Sequence, residues 1–225
     1  MTDAHCHVAD GESRCFLCSP FALPVPDDAV LFYGTHPWYL DGFDGERLRA
    51  QLAADPSAGV GEIGLDRLRD RNISPRMREV FEAQLKVAAE FGRPVVLHGA
   101  KCWGEVVKAC CPYAGRIPAF LFHGFSRSEG LLPDIVAMNG FVSVGPAILN
   151  DHAVNYRELV KRIPMDRILV ESDRLSADLE TSPRISEIAA RLAGVIGVRV
   201  EDFVERLEAN ADEFVSSLAH FTEGA

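Results

Sequence analysis

Six side chains in this chain are of the kinds that hold cations: His5, His7, Glu62, His98, His123 and Asp173. His5 and His7 stand two apart, and in a β-strand alternate residues share a face. Glu62 lies within "GVGEIGLD", an apolar, glycine-punctuated run at 59–66 that reads as a buried strand. A carboxylate placed there loses hydration, which is costly unless something positive meets it. His98 closes "PVVLH", His123 closes "AFLFH" and Asp173 closes "ILVESD". Taken singly, each has an ordinary structural explanation: a core histidine, a helix-capping aspartate, a glutamate paired with an arginine. Together, four imidazoles and two carboxylates at five strand positions point to a centre that binds divalent cations and activates water.

The elements that bring them together are read from hydropathy. Short apolar segments at 2–7, 14–18, 29–35, 58–63, 94–98, 117–123, 141–145 and 167–173 predict eight strands. Helical spacing predicts a helix over 75–91, with Ser74 as its N-cap and Pro75 in its first turn. Apolar positions Ile185, Ile188, Ala189, Leu192 and Ile196 predict another over 183–196, again after "SP". Phe203, Leu207, Ala211, Phe214 and Leu218 mark a C-terminal helix with one apolar face. Eight strands alternating with helices close a (β/α)8 barrel, whose active sites gather at the C-terminal ends of the strands. The first two connections are poor in helical pattern. The expectation is an α/β, abbreviated (β/α)8 TIM barrel with reduced helices in its first third, forming one domain over 1–225.

Composition agrees. The chain has 225 residues, 48% hydrophobic and 25% charged, which suits a folded core rather than disorder. Its net charge of -10 argues against a general nucleic-acid coat. No run approaches the ~18 apolar residues of a membrane span, and the polar start "MTDAHCHVADGE" shows no secretory signal, so the expected setting is cytoplasmic. Six irregularly spaced cysteines fit reduced thiols. Cys15 and Cys18 form a C-x-x-C without a second pair at zinc-ribbon spacing, and they are expected to be small buried residues. Cys6, between two ligands, should point away from them.

The pieces "DAHCH" at 3–7, "GTHPW" at 34–38, "GEIGLD" at 61–66, "FEAQLKVAAEFGRPVVLH" at 81–98, "FHGFS" at 122–126, "GFVSVG" at 140–145 and "LVESD" at 169–173 run in order along nearly the whole chain. In these the chain resembles the TatD-type metal-dependent deoxyribonucleases, a branch of the amidohydrolase-like barrels. The resemblance implies that His5, His7, Glu62 and Asp173 hold one ion and Glu62, His98 and His123 a second. Glu62 would bridge the pair. It further implies a 3′-to-5′ DNA exonuclease, with Glu62 and Asp173 as catalytic residues and Asp173 taking a proton from the attacking water. The family's arginine two residues after the fifth-strand histidine is Ala100 here, followed by Lys101, and its "HCFSG" is "HGFSR".

Two divalent ions about 3.5–4 Å apart lower the pKa of a shared water towards about 7 and neutralise phosphoryl charge. Imidazole with carboxylate suits Zn²⁺ or Mn²⁺, while carboxylate and water suit Mg²⁺. Arg67, Lys101, Arg127 and Arg174 follow the ligand-bearing strands and are expected on the rim as phosphate contacts. His36 and Trp38, in "GTHPWYL", are expected beside them, where an aromatic ring can stack on a base. The expected partner is single-stranded DNA or a frayed DNA end. Two other readings fit the same residues: a hydrolase of carbon esters, amides or lactones, and a non-catalytic metal-binding module.

Overall fold

The computed structural model describes residues 1–18, 25–69, 71–176 and 183–218. Eight strands form one parallel sheet in sequential order: β1 (Asp3–Cys6), β2 (Cys15–Cys18), β3 (Val30–Tyr33), β4 (Gly59–Asp66), β5 (Val95–Ala100), β6 (Phe120–Phe122), β7 (Gly140–Val144) and β8 (Ile168–Val170). The sheet curls until β8 meets β1. There the Asp173 amide donates to the His5 carbonyl at 3.0 Å, and the His7 amide to the Arg174 carbonyl at 2.9 Å. The carboxylate of Asp3 fastens the same seam by accepting from the Ser172 amide at 2.9 Å and the Ser172 hydroxyl at 2.5 Å. This is the TIM barrel expected, abbreviated as expected: the described residues between β1 and β2, and between β2 and β3, contain no helix.

From β3 onward helices return: α1 (Gly45–Ala54), α2 (Pro75–Phe91), α3 (Trp103–Cys110), α4 (Leu132–Ala137), α5 (Val154–Val160), α6 (Ile185–Ile196) and α7 (Val200–Val215). α2 matches its expected bounds because its ends are chemically marked. The Ser74 hydroxyl accepts from the Met77 amide at 3.1 Å, and Gly92 takes the left-handed C-cap conformation at φ 61°. α7 serves the barrel differently. Phe214 packs against Phe16, Phe32 and Phe141 at ring distances of 5.5–6.0 Å, in a cluster that also holds Val96, Leu121 and Leu169. The barrel interior is therefore a packed core rather than a pore.

Two strands depart from plain alternation, and both carry site residues. On β1, Asp3 pairs with Cys15 but Cys6 pairs with Leu17; on β4, Val60 pairs with Val95 but Ile63 with Leu97. Each places one extra residue against its neighbour, the signature of a β-bulge, which re-aims side chains. On β4 the bulge leaves Val60 and Ile63 both packed in the outer core while Glu62 turns to the barrel mouth. The neighbouring backbone must come close for this. A Cβ at Gly34 would lie 2.8 Å from the Gly61 carbonyl carbon and oxygen, so that position admits only glycine.

Candidate metal centre

Glu62 is the hub. It is 2% exposed, and its two oxygens face different partners. Oε2 lies 3.5 Å from His5 Nε2 and 3.3 Å from His7 Nε2, with Asp173 Oδ1 a further 3.6 Å from the His5 nitrogen. Oε1 lies 2.7 Å from His98 Nδ1, 2.8 Å from His123 Nε2 and 3.6 Å from His36 Nε2. All six expected ligands thus converge at the C-terminal end of the barrel. His36, expected as a rim aromatic, joins them. The donor atoms of His36, Glu62 and His98 form one compact group, and those of His5, His7 and Glu62 another.

Electrostatics fits a cation-binding cluster. Burial opposes ionisation of Glu62, but His123 and His5 hold its carboxyl well below the usual range. Burial likewise opposes charge on His123, yet Glu62 and Glu171 push it well above the ordinary imidazole value. His36 is lowered to about 4 by burial, which leaves its nitrogen neutral and free to ligate. Both ring nitrogens of His5 are buried without a hydrogen-bond partner. A buried donor set with an orphaned imidazole at its centre suits a divalent ion.

Behind the donors stands a supporting layer that sequence reasoning missed. His98 Nε2 lies 2.8 Å from Asp66 Oδ2; with the Nε2 proton given to Asp66, Nδ1, 2.7 Å from Glu62, is the atom that would offer a lone pair to a bound ion. Asp66 is held in turn by the Leu68 amide at 2.5 Å, the Arg69 amide at 3.2 Å and the Trp38 indole at 2.9 Å. Burial alone would raise Asp66, but these bonds, His98 first, keep it well below the usual carboxylate range. Glu171 backs His123 from 3.6 Å, and is itself fixed by the Ser143 hydroxyl and by the Gly124 amide at 2.7 Å. The buried amide of Gln84 clamps the loop that carries His36, accepting from the Thr35 amide at 2.6 Å and donating to its carbonyl at 3.1 Å. Asp66, Gln84 and Glu171 stand in the sequence inside "GEIGLD", "FEAQLK" and "LVESD", with nothing there to mark them as supports.

The Asp66 contact predicts a measurable effect. Asp66→Ala should weaken divalent-ion affinity by ~10–100-fold, the usual cost of losing such a partner. Titration of metal-stripped protein checks it, and an unchanged affinity would remove Asp66 from this role.

The expected rim is placed unevenly. Arg127 and Lys101 are exposed and make no ion pair with any described residue. Arg67 is tied to Glu105. Trp38 is 44% exposed with its indole nitrogen committed to Asp66, and its ring meets His36 edge-on at 5.1 Å. Arg174 corrects the expectation: it is 4% exposed, 3.5 Å from Asp10, and lies in the seam rather than on the rim. Asp173 adopts φ 50°, and the Arg174 carbonyl accepts the His7 and Val8 amides, which draws the residue inward. Cys6 packs with Cys15, Leu17 and Ala29, away from the donors as expected. His220 lies outside the described residues.

A family model described as TatD related DNase matches residues 21–216. The chain belongs to the TatD-related DNase family. The match starts beyond β1, so the places of His5 and His7 rest on the geometry above. The 3'-5' ssDNA/RNA exonuclease TatD of Pectobacterium carotovorum subsp. carotovorum (strain PC1) is 29% identical over 169 residues, covering 72% of this chain and 65% of that protein. A Bacillus subtilis (strain 168) protein named uncharacterized metal-dependent hydrolase YabD is 29% identical over 158 residues, 68% of this chain and 62% of its own length. The chain thus spans somewhat under two thirds of the length of these two relatives. Among solved structures, the TatD homologue YJJV from Escherichia coli K12 superposes with a TM-score of 0.83 at 21% identity, over 95% of this chain and 97% of that one. At that identity the likeness speaks for the barrel alone.

Proposed function

We propose that this chain is a metal-dependent phosphodiesterase, a 3′-to-5′ exonuclease on single-stranded or frayed DNA ends. His5, His7, Glu62 and Asp173 would hold one divalent cation, and Glu62, His98 and His123 a second, with His36 adjoining the second set. The observation that carries this reading is the division of Glu62, one oxygen towards each donor set. Bound divalent ions supply a water of lowered pKa and neutralise charge on the phosphoryl oxygens. Asp173, whose side chain is 47% exposed, stands where solvent and substrate enter. It accepts the proton of the attacking water as the new O–P bond forms; the opposite P–O bond breaks, and its oxygen takes a proton from solvent. Lys101, exposed and unpaired among the described residues, is a cation available to phosphates further along the strand. The relatives named as ssDNA/RNA exonucleases support the substrate class. Free cysteines, all but Cys111 buried, support a reducing, cytoplasmic setting; no helix among the described residues is long and apolar enough to cross a membrane.

The test compares single-stranded DNA, RNA, a small phosphodiester, and carbon esters and amides with one metal-loaded preparation. Phosphodiesters should be cleaved fastest. DNA binding should weaken with salt at a slope of about -0.7 per phosphate contacted, and the net charge of -10 keeps the grip local and that slope shallow. Faster cleavage of a carbon ester or amide, with DNA binding flat across salt, would replace this reading with the carbon-ester hydrolase.

A further inference from the structure

The two flanks of the metal centre differ in kind. On the side of β6–β8 a pocket of about 990 Å³ opens beside Asp173, within the ~300–1,000 Å³ range of ligand sites. Its wall combines Arg127, His152 and Asn155 with apolar surface from Pro146 and Val154, the latter 61% exposed. Arg127 sits at φ 60° and is unpaired among the described residues, so its charge is available to a ligand. On the side of β3–β5 there is an aromatic shelf instead: Trp38 and Tyr39, 44% and 67% exposed, flank His36 at ring distances of 5.1 and 6.0 Å. Trp38 is fixed there through Asp66. A cavity of mixed polar and apolar lining, with an unpaired guanidinium to donate to sugar hydroxyls and base carbonyls, suits a nucleoside, and an exposed aromatic pair suits bases stacking on a passing strand.

We propose that the terminal nucleotide of a single strand sits in the Arg127–His152–Val154 pocket, while the rest of the strand crosses the donors onto the Trp38–Tyr39 shelf. This rests on the phosphodiesterase reading above and adds to it which flank of the centre takes the end of the strand. The asymmetry makes the enzyme count from an end: the pocket holds one terminal unit, and the shelf accepts any sequence behind it.

The experiment uses the full metal-loaded chain and two diesters, bis(p-nitrophenyl) phosphate and the p-nitrophenyl ester of thymidine 5′-monophosphate. Val154→Trp fills the pocket and Arg127→Ala removes its cation. Each should lower the ratio of kcat/KM on the nucleotide ester to kcat/KM on the small diester by ~10-fold or more. Each should also weaken thymidine 5′-monophosphate binding, read by calorimetry, to a similar degree. Tyr39→Ala should weaken a ten-nucleotide strand ~5-fold more than it weakens the mononucleotide, as loss of a stacked base implies. A ratio within twofold of wild type for both pocket variants would overturn the assignment and leave the phosphodiesterase reading standing. Wild-type protein that cleaves neither diester would overturn that reading, and this inference with it.

Discussion

Asp173→Asn is expected to slow turnover by ~10²–10⁴-fold while the protein keeps at least one divalent ion. That range is the usual cost of removing a general acid or base. The substitution is conservative in every other respect. Asparagine is isosteric and tolerates the φ of 50° at this position better than most residues. The backbone bond from the Asp173 amide to the His5 carbonyl is untouched, so the barrel seam stays closed. Burial pushes the Asp173 carboxyl above its ordinary value, in the direction that makes it a better proton acceptor. What the amide cannot do is take a proton. Steady-state rates on a small phosphodiester, with ion content measured on the same sample, check this. Near-normal turnover in the variant would take the proton-accepting role away from Asp173.

Glu62→Gln is expected to weaken both ion-binding events, each by more than the ~10–100-fold that a supporting hydrogen bond costs. The reason is the position of its oxygens. One faces His5 and His7, the other His98 and His123, so the side chain belongs to both donor sets at once. A glutamine removes the negative charge common to the two sets and puts an NH₂ group where one of them needs a lone pair. Titration resolving two events in wild type should show both displaced in the variant. Loss of one event with the other unchanged would mean that Glu62 belongs to a single ion.

Much of this was legible in the sequence because ligands and strands share one signal. A polar cation-binding residue closing an apolar run, as in "PVVLH" and "AFLFH", gives the element and its functional end together. α2 was legible at both ends because Ser74, Pro75 and Gly92 are chemical stops. α4 and α5, of six and seven residues, are too short for their periodicity to stand out. The bulges on β1 and β4 were hidden for a different reason. They depend on pairing with β2 and β5, and a bulged strand has the same composition as a regular one. The supporting contacts Asp66–His98 and Glu171–His123 were likewise invisible, since they join strands 32 and 48 residues apart in sequence. Arg174 was misplaced because adjacency to Asp173 was read as adjacency to the rim, whereas a left-handed residue at a seam turns the next side chain inward.

A centre for two ions organised about Glu62 is open to stoichiometric titration of metal-stripped protein. Glu62 and Glu171 push His123 well above the ordinary imidazole value, and a ligating imidazole must be neutral, so loading is expected to release protons and affinity to fall as the pH is lowered. Two divalent ions per chain are expected by calorimetry and elemental analysis, with proton release on binding and a stability gain of about 2.7 kcal/mol for each ion at a concentration 100 times its Kd. Fewer than one ion per chain, with no proton release and an unchanged Tm, would contradict it.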